Sequence, residues 1–194
     1  MVDKIRVALV GLGNCFSGLL QGIEYYRKNP SQEVIGIIHD KLRDYSIHDI
    51  EFVAGFDVAE NKIGKPVNGA IYESPNMVDW IDKNAMPKTD GMVYESPDLD
   101  GVGIWVENKV KPIQSDKSES ELEEEVKKII KDVGVEIIVS YLPVGSEKAT
   151  QFWANICLET NTAFVNCMPA FIASDKEWAQ KFKDKNIPII GDDI

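Results

Sequence analysis

The residues of this chain that could do chemistry are gathered in a few short stretches of glycine, carboxylate and small polar side chains. The first is Gly11-Leu12-Gly13-Asn14-Cys15, directly after the apolar run "IRVALV" and before a helical pattern. A tight glycine turn between a strand and a helix offers free backbone N–H groups and the positive end of the helix dipole, the combination that holds a pyrophosphate. The second is Asp57, which closes the next buried run, "IEFVAGFDV". A carboxylate at a strand end can accept hydrogen bonds from an adenosine ribose, and its charge would repel the 2′-phosphate of NADP. Together the two favour NAD. Phe16 stands where the compact fingerprint has its third small residue, and Asp57 lies well beyond the ~20-residue spacing of that fingerprint, so an insertion between the first helix and second strand is required. On the residues alone, the loop could equally be a plain strand-to-helix turn and Asp57 a turn or N-cap carboxylate.

Further polar or proline-containing turns follow the later strand candidates at Ser140–Gly145, Asn166–Pro169 and Gly191–Asp193. Asp192 and Asp193 read either as a solvated terminus or as acids of a site at a strand end. Cys15, in the first turn of a helix where a thiol pKa would drop, reads more simply as a small residue lining the loop. His39 and His48 have no ligand-type partner at helical metal-site spacing, so no metal site is expected. Cys15, Cys157 and Cys167 are too widely spaced for a disulfide framework or a metal knuckle and suit a reducing compartment.

These stretches need elements to position them. After "IRVALV", apolar residues recur at Phe16, Leu19, Leu20 and Ile23, a helical stripe, while Gly18 and Gly22 lie on another face that could approach a backbone closely. A polar, irregular segment spans about Lys28 to Asp49. Between Glu60 and Val110 prolines and glycines break the pattern, and the expectation is short helical pieces around Pro75–Asp82 and a strand near Val102–Val106. "SDKSESELEEEVKKIIKDVG" reads as a helix with a capping box from Ser120 to Glu123 and a solvated acidic face. Then come the strand "VEIIVSYLP", the helix "GSEKATQFWANICLETN", the strand "AFVNC", the helix "SDKEWAQKFKDKN" capped by Ser174 with Glu177, and the strand "IPIIGDD". Trp153 and Trp178 fall on helical apolar stripes and read as core or interface. Strands alternating with helices predict an α/β, doubly wound parallel sheet.

The bulk properties agree. The chain has 194 residues, enough for one sizeable domain, and 44% hydrophobic with 27% charged residues is an ordinary globular composition. A net charge of −11 without a basic stripe argues against nucleic acid as a partner. No apolar run reaches the roughly 20 residues of a membrane span, and the N-terminus carries no signal-peptide pattern, so the expectation is a cytoplasmic protein with no membrane partner.

The stretches "VALVGLGNCFSGLLQGIEYY", "FVAGFDV", "DLDGVG", "SYLPVGSEKATQFWANICLE", "AFVNCMPAFIASDKEWAQKF" and "IPIIGDDI" closely resemble myo-inositol-1-phosphate synthases of the archaeal and actinobacterial type. The resemblance runs in order through essentially the whole chain. It implies an NAD-dependent isomerase that turns D-glucose 6-phosphate into 1D-myo-inositol 3-phosphate by C5 oxidation, enolisation, aldol cyclisation and re-reduction, with no net redox change. Carried over by position, Gly11, Gly13, Asn14 and Cys15 match the pyrophosphate loop and Asp57 the ribose carboxylate. Ser140, Leu142, Pro143 and Val144 match the segment lining the dinucleotide cleft, and Asn166 and Pro169 the following turn. Asp193 matches the nicotinamide-side acid of a Gly-Asp-Asp motif, the one catalytic candidate.

The resemblance also implies a homotetrameric enzyme of nearly twice this length, with a lysine-rich catalytic and tetramerisation region after the Gly-Asp-Asp motif. On that basis residues 1–194 are expected to be an NAD-binding, Rossmann-type domain with an irregular insertion around 60–117 and no catalytic domain. Such an N-terminal half would show little turnover alone, or would pair with a partner chain if the protein is split. Two other readings stay open at this point: a different Rossmann-type NAD oxidoreductase, and a non-catalytic NAD-binding or assembly module.

Overall fold

The computed structural model describes residues 3–30, 36–39, 41–102 and 107–192. In chain order the strands are β1 (Ile5–Val10), β2 (Lys41–Leu42), β3 (Tyr45–Ser46), β4 (Ile50–Asp57), β5 (Met92–Glu95), β6 (Ile137–Ser140), β7 (Ala163–Asn166) and β8 (Ile189–Ile190). The helices are α1 (Asn14–Lys28), α2 (Val67–Ala70), α3 (Glu119–Asp132), α4 (Glu147–Thr160) and α5 (Lys176–Asp184). Six strands form one parallel sheet in the order β5-β4-β1-β6-β7-β8, and β2 and β3 make a separate small hairpin. Counted along the chain within the sheet, that order is 3-2-1-4-5-6, the doubly wound arrangement. The strand order therefore reverses between β1 and β6.

Alternation along β1 builds a layer on each face. Val7 and Leu9 point into a core with Leu12, Phe16, Leu20 and Ile23 of the first loop and helix, whereas Ala8 and Val10 face Val126, Ile130, Ile138, Trp153 and Phe164. Both faces are apolar, which is why β1 reads as a continuous hydrophobic run. Phe56 and Trp153 meet at 4.9 Å between ring centroids, joining β4 to α4 across the second core. Truncating a buried ring of this size costs about 3–5 kcal/mol.

Several local expectations are corrected. The cap of α3 is Ser118 with Glu121, two residues before the expected Ser120–Glu123 box, and Glu123 instead pairs with Lys127 at 2.6 Å. At α5 the cap is Asp175, whose carboxylate accepts from the N–H groups of Glu177 and Trp178; the Ser174 N–H is held by Asp192. Residues 75–82 are irregular rather than helical because side chains of α1 take their backbone groups. Gln21 Nε2 donates to Val78 O at 2.8 Å, and the Ile81 N–H donates to Gln21 Oε1 at 2.9 Å. The polar 28–49 segment contains the β2–β3 hairpin and a 3-10 turn, Ile47–Asp49, leading into β4. Within the expected insertion around 60–117, Met92–Glu95 joins the sheet beside β4, where any side chain at Gly91 would strike Phe52 O at 2.5 Å. Most of the strand expected near Val102–Val106 lies outside the described residues.

Candidate functional site

β1 delivers the chain to Gly11 at the reversal point, where ligands bind in sheets of this order. Gly11 has φ +80°, and a Cβ there would lie 2.9 Å from Tyr141 O, so the closeness of the β1 and β6 ends requires glycine. Its N–H donates to Phe56 O at 3.0 Å, and the Tyr141 N–H donates to Val10 O at 2.8 Å. Gly13 differs: a Cβ built on it meets nothing within 4 Å, which leaves room over the loop. α1 starts there with neither a side-chain cap nor an acid in its first turn. By contrast Ser118 caps α3, Asp175 caps α5, and Asp100 accepts from the Lys148 and Ala149 N–H groups of α4. The first N–H groups of α1 thus remain suited to an anion.

Phe16 points away from this opening. It is fully buried and packs edge-on to Phe52 at 5.3 Å, heading the core stripe with Leu20 and Ile23. Gly18 and Gly22 do not give the close backbone approach their spacing suggested. A Cβ at Gly18 would meet the Trp80 ring at an ordinary 3.5 Å, and one at Gly22 would meet nothing within 4 Å.

Asp57 holds the loop from below. Its Oδ2 accepts the Leu12 N–H and its Oδ1 the Ala59 N–H, both at 2.9 Å. Two residues unmarked in the sequence complete the arrangement. Lys62 donates to Leu12 O at 2.8 Å and sits 3.7 Å from Asp57 Oδ2, while Asn76 Nδ2 donates to the same Leu12 carbonyl at 2.8 Å. Asn14 Oδ1 accepts the Met77 N–H at 2.7 Å, tying the helix start to the 75–82 segment.

Gly11, Gly13, Asn14, Asp57, Lys62, Asn76, Leu142 and Pro143 line one cleft of ≈ 210 Å³ at the carboxyl ends of β1, β4 and β6. Cys15 is exposed in the first turn of α1, and Val144 is 75% exposed just beyond the cleft wall. The Ser140 side chain is fully buried, and its hydroxyl has no hydrogen-bond partner among the described residues. It does not line the cleft.

Asn166, 1% exposed, donates to Ala170 O and Asp192 Oδ1, each at 2.8 Å, and so shapes the turn after β7 that carries the exposed Pro169. Asp192 also accepts from the N–H groups of Ile172, Ala173 and Ser174 at 2.9, 3.0 and 3.0 Å. Burial pushes its carboxyl pKa up, but the bonds from Ala173, Asn166, Ser174 and Ile172 outweigh that and hold it below the usual value. Asp192 is thus a clamp on the Ile172–Ser174 backbone. Asp193 lies outside the described residues.

Tyr141, Cys167 and Cys15 adjoin at the same sheet end. Burial, then the neighbouring Cys167 and Cys15, push the Tyr141 phenol up to about 12, which keeps it a neutral hydrogen-bonding group at pH 7. Burial raises the Cys167 thiol as well. A larger hollow, ≈ 680 Å³, opens at the amino ends of the strands. Its guanidinium groups are engaged, Arg6 with Val133 O and Glu51, Arg27 with Glu24 and Ile50 O, and it lies away from the reversal point. Among the described residues no group of three or more His, Cys, Asp or Glu could hold a metal ion, and no helix is long and apolar enough to cross a membrane.

No family model matches the chain. Curated relatives do: the inositol-3-phosphate synthase of Mycolicibacterium smegmatis is 43% identical over 192 residues, covering 98% of this chain and 51% of the relative. That of Corynebacterium glutamicum is 46% identical over 193 residues, covering 99% and 51%. Among solved structures, Ari2 superposes with a TM-score of 0.81 at 28% identity, over 99% of this chain and 55% of that one. A myo-inositol-1-phosphate synthase-related protein from Thermotoga maritima has the same fold, with a TM-score of 0.73 at 22% identity, over 98% of this chain and 55% of that one. Along 98–99% of its residues the chain is homologous to inositol-3-phosphate synthases, and it spans about half the length of these curated relatives.

Proposed function

We propose that this chain is the NAD-binding half of an inositol-3-phosphate synthase, an isomerase that converts D-glucose 6-phosphate to 1D-myo-inositol 3-phosphate. The observation that carries the reading is the Gly11–Asn14 loop, which opens an uncapped helix at the reversal of strand order with Asp57 beneath it. The open space at Gly13 fits the approach of a pyrophosphate to the first N–H groups of α1. Asp57 keeps lone pairs beyond those given to Leu12 and Ala59, and one of them accepts a ribose hydroxyl. Leu142 and Pro143 line the same cleft and would supply an apolar contact for the bound cofactor. NAD, when bound, would supply reversible hydride transfer.

Glucose 6-phosphate as substrate, a homotetramer as the assembly and a cytoplasmic setting belong to the same proposal for the whole enzyme, as does Asp193 beside the nicotinamide. The direct experiment is a calorimetric titration of the chain with NAD. Saturable binding at one site per chain is expected. Absence of saturable binding overturns the reading, and net NADH accumulation with a sugar substrate would replace it with a simple oxidoreductase.

A further inference from the structure

Lys62 is 3% exposed although it lies in the polar turn after β4. Lysines are almost never fully buried unless paired, and this ammonium has two hydrogen-bond acceptors and a carboxylate beside it. It donates to Leu12 O at 2.8 Å and to Asn76 Oδ1 at 3.3 Å, and faces Asp57 Oδ2 at 3.7 Å. The Leu12–Gly13 carbonyl is therefore gripped by Lys62 and Asn76 while the Leu12 N–H is gripped by Asp57. The two peptides that flank Leu12, one by its N–H and the other by its carbonyl, are thus each held in place.

The two side chains of the pair are only 4% and 10% exposed, so their charges act through protein more than through water. Asp57 is the group that would reject a 2′-phosphate, and Lys62 offsets its charge at that end of the cleft. We infer that Lys62 is the specificity-determining and positioning residue of this site. It holds the Leu12 peptide in the shape that accepts a dinucleotide, and it narrows the margin by which Asp57 favours a 2′-hydroxyl over a 2′-phosphate. This rests on the reading that the cleft takes NAD.

The test compares dissociation constants for NAD and NADP, by calorimetry on the whole chain, in the unsubstituted protein and in Lys62→Met, Asp57→Asn and the double variant. Lys62→Met leaves Asp57 unopposed, and the NADP-to-NAD ratio of dissociation constants is expected to rise about tenfold for a partly screened charge at this range. Lys62→Arg, which keeps the charge, brings the ratio back towards the unsubstituted value. Should Lys62→Met fail to fold, the comparison of Asp57→Asn with the double variant carries the same information. An unopposed Lys62 favours NADP, so its removal in that background raises the ratio by a similar factor. Affinities for both dinucleotides falling together, with the ratio constant within twofold, would reduce Lys62 to a structural residue and overturn the inference alone. Failure of the unsubstituted chain to bind NAD overturns the functional reading, and the role of Lys62 falls with it.

Discussion

The carboxylate of Asp57 accepts the backbone N–H of Leu12 at 2.9 Å, so the residue that ends β4 also sets the conformation of the loop that follows β1. One side chain thereby serves the fold and the proposed cofactor site together. Asp57→Asn keeps an acceptor but loses the charge, and is expected to weaken NAD binding by about 1–3 kcal/mol, the worth of a charge-assisted hydrogen bond. Asp57→Ala leaves Lys62 without its anion and two N–H groups without an acceptor, and should destabilise the chain by about 3–5 kcal/mol. Titration calorimetry reads the first effect and denaturant unfolding the second. Equal NAD affinity in Asp57→Asn would remove Asp57 from the binding site.

The two loop glycines separate folding from binding. Gly11→Ala forces a side chain into a left-handed conformation against Tyr141 O at 2.9 Å, and about 1–3 kcal/mol of stability should be lost. Gly13 has φ −80° and open space beside it, so alanine there should change stability by no more than about 0.5 kcal/mol. Its methyl group would instead enter the open space proposed to receive the pyrophosphate. A loss of NAD affinity at unchanged unfolding midpoint is the expected signature for Gly13→Ala, and a fall in midpoint that matches Gly11→Ala would contradict it.

The sheet and the loop were legible in the sequence because their causes are local. Buried parallel strands such as Ile5–Val10 and Ile50–Asp57 read as unbroken apolar runs, and Gly11 marks a turn by its residue type. Lys62 and Asn76 were not legible, since each acquires its meaning from the Leu12 carbonyl, 50 and 64 residues away. The same holds for β5, whose four residues become a strand by pairing with β4, and for 75–82, whose backbone partners are side chains of α1. Asn166 shows a different relation between position and partners. It stands at a strand end, where the sequence places a site, and among the described residues its amide nitrogen donates to Ala170 O and Asp192 Oδ1 while its oxygen accepts the Met168 N–H. Strand-end position identifies where a site can be, while burial and hydrogen-bond satisfaction decide which residues are free to serve it.

Asp192 gives the stability a pH dependence with a definite sign. Its carboxyl pKa is lowered in the folded chain from the ordinary 3.8, so the folded state binds this proton less readily than the unfolded state. The contribution is complete above the ordinary value and is lost as pH falls through the lowered folded value. Denaturant unfolding between pH 2 and 6 should show an acid limb that is shallower in Asp192→Asn. A limb of the same slope in both proteins would mean that other carboxylates carry the acid sensitivity.

Gln21 links the α1 helix to the loop through a path that the sequence pattern hides. It is fully buried, donates to Ser17 Oγ at 2.9 Å and Val78 O at 2.8 Å, and accepts from the Ile81 N–H at 2.9 Å. Leucine fits a helix equally well and would raise the apolarity of the stripe, so propensity alone favours Gln21→Leu. The loss of two backbone partners in a buried site outweighs that gain, and a net destabilisation of about 2–4 kcal/mol is expected. Because the released segment carries Asn76 and the Met77 N–H that reaches Asn14, NAD affinity should fall as well, although Gln21 does not line the cleft. Ser17→Ala breaks only the long contacts at 3.3 and 3.4 Å to Ile71 O and Val78 O together with one bond from Gln21, and should cost about 1 kcal/mol. Unfolding and NAD titration of the two variants together decide the matter: if Gln21→Leu matches the parent chain in both, the 75–82 segment is held by its own contacts rather than by α1.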